Sequence, residues 1–116
     1  MVEEPGVEAH FIGKDPHVRA IYEKLLLELR RFGPVIEDPK KTSIHLVNQS
    51  AFAGVVTRKT TLLLNIKTAE PIESPRFARL EQVSTHRYHQ ELKLGSPQEV
   101  DGELLGWLSQ AYTLSA

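Results

Sequence analysis

Residues 42–68 decide the fold, and their sequence is TSIHLVNQSAFAGVVTRKTTLLLNIKT. Apolar and polar residues alternate in three runs, over residues 42–47, 51–57 and 60–68. Alternation of this kind predicts β-strands that bury one face. The two gaps between the runs are short enough for hairpins, so the pattern predicts antiparallel neighbours, because parallel strands need a long crossover.

Further strands are predicted on both sides of this stretch. Residues 88–94 alternate in the same way, and a shorter strand is expected around residues 35–37, before Pro39. Residues 79–84 are compatible with a strand or with a turn of helix. The complete pattern predicts an antiparallel meander of about four to six strands.

Two amphipathic helices flank the strands. The first is predicted over residues 16–32, with Asp15 as its N-cap, Pro16 in the first helical position and Gly33 after its end. Its apolar residues recur every three or four positions, as expected for one helix face. They are Val18, Ile21, Tyr22, Leu25, Leu26, Leu29 and Phe32.

The second helix is predicted over residues 97–112, opened by a capping box in which Ser96 caps the helix and Glu99 reaches back. Gly102 and Gly106 lower its helix propensity, and one interpretation is that they allow close packing. Both helices carry an apolar stripe, so we expect them to cover the same face of the sheet. The predicted fold class is therefore α+β, with two layers.

The chain has 116 residues, enough for one domain, which we expect to span residues 10–116 after a flexible tail over residues 1–9. It has no cysteine, which excludes disulfides, thiol nucleophiles and metals held by thiolates. No apolar run reaches about 18 residues, and the first residues lack the pattern of a signal peptide. We therefore expect a cytoplasmic protein that does not enter a membrane.

Charge is segregated along the chain. The formal net charge is −1, but residues 40–93 contain nine Lys or Arg and four Asp or Glu, a net charge of +5. A basic middle segment favours an anionic ligand at one part of the surface. The nearly neutral total charge disfavours nucleic acid as the partner.

Several short segments resemble a known family. They are KKTSIHL at 40–46, AFAGV at 51–55, SP at 96–97, VDGELL at 100–105 and QAY at 110–112. Together they resemble the bacterial domain of unknown function numbered five-six-five-five, over about residues 11–114. The resemblance implies a compact α+β module, and some related domains carry the label of predicted transport protein. It implies no catalytic residue.

Strand alternation places one set of polar side chains on the sheet face opposite the helices. They are His45, Asn65, Lys67, His89, Glu91 and Lys93, beside the apolar Val47 and Leu63. This open face is the candidate site. The alternative is a face that is simply solvated, which is common in antiparallel sheets.

A basic rim is expected around the open face, at strand ends and turns. Turn cations beside hydroxyl and backbone donors can hold a phosphate or a carboxylate, although lysine at strand ends also prevents edge-to-edge aggregation. The candidate ligand-binding residues are Lys40, Lys41, Ser43, His45, Arg58, Lys59, Arg87 and His89.

The histidines allow a second hypothesis. His86 and His89, together with Glu91, could supply part of a metal shell for a phosphoester hydrolase, but their spacing matches no zinc motif. The stretch between residues 39 and 100 contains no Asp to orient a histidine and no nucleophile-elbow motif. The sequence therefore favours a protein that is not an enzyme and that needs no metal or cofactor.

The functional prediction is a non-catalytic module that binds a small anion or a partner protein through the open face and its rim. It is expected to be a monomer, or a homodimer joined across Val47 and Leu63 on that face. The alternatives are the metal-assisted hydrolase and an accessory domain associated with nucleic acid.

Overall fold

The computed structural model describes residues 6–116, in which two helices and six strands follow one another along the chain. The helices are α1 (Pro16–Leu29) and α2 (Gly102–Leu114), and short 3₁₀ helices span Val7–Phe11 and Pro97–Glu99. The strands are β1 (Ile36–Pro39), β2 (Ile44–Val47), β3 (Ala51–Thr57), β4 (Leu62–Thr68), β5 (Phe77–Ser84) and β6 (Arg87–Leu94). The α+β class is confirmed. Residues 1–5 of the predicted tail lie outside the described residues.

All six strands form one antiparallel sheet in the order β1-β2-β3-β4-β6-β5. The sheet follows a meander as far as β4. The chain then crosses the face of β6 through residues 69–76, makes the edge strand β5, and returns as β6 between β4 and β5. The crossover runs on the helix side of the sheet, because Ile72 bonds to the inward-facing side chain of Gln90.

The core lies between the helices and one face of the sheet, as the alternation predicts. Every second residue of β4 is buried, beginning with Leu62, while the residues between them are only partly covered. The same alternation holds on β2 and on the last half of β6. The buried apolar residues of both helices and of the sheet form one cluster, so both helices cover the same face.

The first helix differs from its prediction at both ends. Asp15 occupies the N-cap position, but its carboxylate makes no capping bond, because its backbone carbonyl already accepts from the Val18 N–H at 3.0 Å. The helix ends at Leu29 rather than at residue 32. The next three residues form short-range turn bonds, and Gly33 follows with a φ of +151°.

The second helix begins five residues later than predicted, and the capping box at Ser96 is wrong. The Ser96 side chain makes no capping bond, and the Glu99 carboxylate accepts from the Gly95 N–H instead. The backbone leaves the helical region at Val100, whose side chain is buried in the core. Asp101 is the true N-cap, because its carboxylate accepts from the Leu104 N–H at 3.0 Å.

The close-packing interpretation of the two helical glycines is also wrong. A Cβ atom placed on Gly102 or on Gly106 would have no neighbour within 4 Å. Both positions face open space, so these glycines weaken α2 without a packing benefit.

Arg76 attaches the end of the crossover to α2. Its Nη1 donates to Asp101 Oδ1 at 2.9 Å and to Glu103 Oε1 at 3.2 Å, and its Nη2 donates to the Glu99 carbonyl at 2.8 Å. The guanidinium also lies over the ring of Trp107, 5.8 Å from its centroid. The Leu104 N–H, and after it Arg76, hold the pKa of the Asp101 carboxyl below its ordinary value.

Asp101→Ala is expected to lower the free energy of unfolding by about 1 kcal/mol, because the helix loses its cap. Asp101→Asn keeps an acceptor for the Leu104 N–H and loses only the charge that faces Arg76, which is a small effect for a half-exposed carboxylate. It should cost less than half as much as the alanine variant. Urea unfolding measures both, and equal losses would show that capping is not what Asp101 contributes.

Candidate functional site

One row of directly opposed residues crosses the open face of the sheet. The register places Asp38 opposite His45, His45 opposite Gly54, and Gly54 opposite Asn65. Asn65 in turn is opposite Glu91, and Glu91 is opposite Arg79 on the edge strand. Residues opposite one another in a sheet point to the same side, so these side chains share the face away from the helices. All six strands contribute to this row.

Gly54 interrupts the row near its centre. With no side chain at this position, the space between His45 and Asn65 stays open down to the backbone of β3. A Cβ atom on Gly54 would lie 3.9 Å from Asn65 Cβ and 4.0 Å from His45 Cδ2, which is ordinary contact distance. We call the resulting cavity, of about 240 Å³, the Gly54 cleft.

The Gly54 cleft has an apolar floor and polar walls. Ala51, Val56 and Leu63 supply apolar surface beside Gly54. The polar side chains that line it are Ser43, His45, Asn65, Lys67, His89 and Glu91. Such a mixture suits a small molecule with an apolar body and a few hydrogen-bonding groups.

A second cavity, of about 130 Å³, continues the cleft towards β5. It is lined by Arg79 and Glu81 and shares Asn65, His89 and Glu91 with the first. The two cavities therefore form one groove that runs from β2 to the edge strand. His45 and His89 lie on strands three spacings apart, or about 14 Å, so they line different parts of it.

Three of the eight predicted ligand-binding residues line the Gly54 cleft: Ser43, His45 and His89. Lys40 and Lys41 lie in the β1–β2 connection, and Arg58 and Lys59 lie in the β3–β4 turn. The pairing of β2 with β3 brings this connection and this turn to the same end of the sheet. These four cations form a basic rim at the end that carries Ser43, outside the cleft itself.

Arg87 is separated from the basic rim. It begins β6, next to the pairing of Tyr88 with Thr68, at the opposite end of the sheet. Its guanidinium donates to the His86 carbonyl at 2.7 Å. The structure thus brings Ser43, His45 and His89 to the cleft and four cations to the rim at one end of the sheet, and it leaves Arg87 outside both sets.

Backbone contacts hold the basic rim in place. The imidazole of His10 is bonded to the Lys40 carbonyl at 2.9 Å, and that of His17 to the Thr60 carbonyl. The Asp15 N–H donates to the Lys59 carbonyl at 2.8 Å. The side chain of Lys40 is paired with Asp38, with Nζ and Oδ2 2.9 Å apart. Among the described residues, Lys41 and Lys59 are exposed and form no such ion pair.

The metal-centred hypothesis finds no support in the geometry. Within residues 6–116, no group of three or more His, Asp or Glu side chains is close enough together to hold a metal ion. His86 lies in the hairpin turn between β5 and β6, while His89 and Glu91 lie on the strand. The three residues therefore do not converge.

Sequence reasoning missed Gly54, Arg79 and Glu81 as parts of the site. The role of Gly54 cannot be recognised from the sequence, because it depends on which residues stand opposite it in the sheet. A β-bulge lies two residues before Gly54, where Phe52 is inserted between the pairings of Ala51 and Ala53. Arg79 and Glu81 are not predicted as site residues because the sequence of residues 79–84 is compatible with either a strand or a turn of helix.

Comparisons with known proteins identify the family but no activity. Neither a search of curated proteins nor one of solved structures found a match. Neither helix within the described residues has the length and apolar character of a membrane-spanning segment. A family model, the domain of unknown function DUF5655, matches residues 7–115, nearly the whole chain. The chain therefore belongs to the DUF5655 family.

Proposed function

We propose that this protein is a non-catalytic binding module whose ligand, a small organic anion, occupies the Gly54 cleft. The observation that carries this proposal is the missing side chain at Gly54, which opens the sheet surface between His45 and Asn65. An ordinary solvated sheet face has side chains in every position of such a row. A cleft with an apolar floor and convergent polar groups is the usual form of a small-molecule site.

The size of the cleft supports a small ligand. Its volume of about 240 Å³ lies below the range of about 300–1,000 Å³ that is typical of pockets for drug-sized molecules. The apolar floor of Val56 and Leu63 can cover a short carbon skeleton or one ring. Asn65 provides both a donor and an acceptor at the centre of the cleft.

The charges favour an anion. In the cleft the ammonium group of Lys67 balances the carboxylate of Glu91, and the two histidines add ring N–H groups that can donate to an anion. The basic rim adds Lys41 and Lys59 at the end that carries Ser43, where they raise the local concentration of anions. In the folded sheet, four of the nine cations of residues 40–93 gather in the basic rim.

Binding rather than catalysis is supported by the hydrogen bonding of the histidines. Within the described residues, no carboxylate bonds to the imidazole of His45 or His89, and Ser43 is not bonded to either ring. A nucleophile and its base, or a base and its orienting group, normally lie within hydrogen-bond reach. The cleft therefore has groups that recognise a ligand and lacks a preassembled reactive pair.

A Gly54→Leu variant is expected to abolish ligand binding, because the new side chain fills the cleft. The measurement is a thermal-shift titration with phosphate, citrate, benzoate and adenosine monophosphate, with adenosine as the neutral comparison. An anion at about 100 times its Kd should stabilise the native protein by about 2.7 kcal/mol and raise its melting temperature. This shift should disappear in Gly54→Leu and shrink in Lys41→Ala and His45→Ala.

Gly54→Ala is the matched control, because one methyl group fits at contact distance on the floor of the cleft. This variant should fold normally and keep most of the shift. A melting shift of equal size in wild type and Gly54→Leu would place the anion elsewhere and contradict the proposal. The absence of a shift with every anion in the panel would also count against it.

A further inference from the structure

The edge strand β5 is unusually exposed. It spans eight residues and, within residues 6–116, pairs only with β6, so no described strand covers its outer backbone edge. Two large apolar side chains lie on it in the open, Leu80 at 51% and Val83 at 53% exposure. An exposed edge with apolar side chains is a template for pairing with another strand.

The opposite edge of the sheet is protected in the usual way. Strand β1 has only four residues and ends at Pro39, which lacks a backbone donor. Its Asp38 is paired with Lys40 just beyond the strand end. Short length, proline and charge commonly protect an edge strand from pairing. Strand β5 is not short, and it contains no proline.

The regular part of β5 is the stretch between two irregularities, at residues 78 and 83. Within it, Leu80 stands opposite the inward-facing Gln90, so its side chain lies on the helix side of the sheet. Arg79 is opposite Glu91 and Glu81 is opposite His89, so both charged side chains lie on the open face.

We propose that β5 pairs in antiparallel register with β5 of a second copy of this chain, with Leu80 on the two-fold axis. In this register Leu80 contacts Leu80 of the second copy on the helix side. Arg79 stands opposite Glu81 of the second copy, and Glu81 stands opposite its Arg79. The edge thus carries a charge pattern that is complementary to itself, and the axis generates both ion pairs at once.

Charge also selects this register against its neighbours. A two-fold axis perpendicular to the sheet keeps the helices of both copies on one side, and it allows only registers that oppose residues of the same face. Sliding the strands to the next such register places Glu81 opposite Glu81, or Arg79 opposite Arg79 in the other direction. Like charges directly opposite are destabilising, so the register centred on Leu80 is favoured.

The pairing has a consequence for the groove on the open face. Arg79 and Glu81 line its outer end, next to the edge that the second copy would cover. The grooves of the two copies would then meet at the axis and form one continuous surface. The dimer itself follows from the edge alone and does not depend on what the Gly54 cleft binds.

The test is the oligomeric state of the full chain, measured by light scattering during size-exclusion chromatography and by sedimentation equilibrium. The wild type should have twice the mass of the 13.1 kDa chain. Arg79→Glu and Glu81→Arg each create two like-charge contacts and should raise the dimer dissociation constant roughly tenfold to a hundredfold. The double variant Arg79→Glu/Glu81→Arg restores opposite charges across the axis and should restore the dimer.

The double variant also separates a lost interface from a lost fold, since both residues are exposed and its circular dichroism should match that of the wild type. A wild type that stays monomeric at millimolar concentration would overturn the proposal. So would single variants that remain as dimeric as the wild type, or a double variant that stays monomeric. A dimer lost in Leu63→Glu but kept in both charge reversals would place the interface on the open face instead.

Discussion

Gln90→Leu is expected to lower the free energy of unfolding by about 3 kcal/mol, because three hydrogen bonds around a buried side chain are lost together. Gln90 is 2% exposed and faces the helices from β6. Its Oε1 accepts from the Ile72 N–H at 2.7 Å and from the Thr68 hydroxyl at 3.2 Å. Its Nε2 donates to the Ile72 carbonyl at 2.9 Å. Leucine has a similar volume but leaves all three groups without this partner.

The loss is expected to be large because the Gln90 side chain makes the hydrogen bonds to the crossover backbone that a neighbouring strand would otherwise make. Ile72 lies in residues 69–76, which pass over the sheet without pairing to it as a strand. The side-chain amide gives Ile72 the donor and the acceptor that a strand would offer. Buried backbone groups without such partners cost free energy of the same order as a lost hydrogen bond.

Urea unfolding of wild type and variant gives the difference directly. Gln98→Leu is the matched control, because it makes the same chemical change at an exposed position and should alter stability by less than about 0.5 kcal/mol. Gln90→Glu should cost at least as much as Gln90→Leu near neutral pH, because it buries a carboxylate without a cation beside it and places an acceptor next to the Ile72 carbonyl. A loss below 1 kcal/mol in Gln90→Leu would show that water satisfies the crossover instead.

Gly33→Ala is the second variant with a large expected effect, a loss of about 3 kcal/mol in the free energy of unfolding. Gly33 has a φ of +151°, a region that residues with a side chain rarely adopt. A Cβ atom there would also lie 2.5 Å from Tyr112 Oη and 3.4 Å from its Cζ. Tyr112 has little freedom to move away, because its hydroxyl donates to the Pro34 carbonyl at 2.9 Å and its ring packs against Phe52.

Thermal and urea unfolding measure the loss, and Gly106→Ala is the control. That glycine lies within α2 with no neighbour near its Cβ position, so alanine there should stabilise the protein by roughly 0.5–1 kcal/mol. If the free energy of unfolding falls in Gly33→Ala and rises in Gly106→Ala, the loss at Gly33 comes from backbone strain and the contact with Tyr112. Helix propensity alone would not give that difference. Stability unchanged in Gly33→Ala would mean that the turn after α1 can rearrange at no cost.

A second substitution resolves the two causes at Gly33. Tyr112→Phe removes the hydroxyl that stands closest to the new methyl group. If the contact contributes, Gly33→Ala should cost less in the Tyr112→Phe background than in the wild type. An equal cost in both backgrounds would assign the whole effect to the backbone conformation.

Much of the fold and part of the candidate site could be predicted because their signals are local. The apolar spacing of Val18, Ile21 and Leu25 predicts a helix whatever it packs against. Alternation along β2, β4 and β6 correctly placed His45, Asn65 and His89 on one face, since neighbouring side chains in a strand point to opposite sides. Helix ends were less predictable, as Ser96 and Asp101 are both good caps and the burial of Val100 decided between them.

The sequence by itself thus determined both helices and the strands other than β5, and which side of β2, β4 and β6 is buried, because hydrophobic periodicity is a property of neighbouring residues. Only the tertiary structure decided the strand order, in which β6 lies between β4 and β5, and with it the row in which Gly54 separates His45 from Asn65. Strand order and register arise from pairing between residues far apart in the chain. No local pattern encodes that Gln90 will hold the crossover or that β5 will be left at the edge.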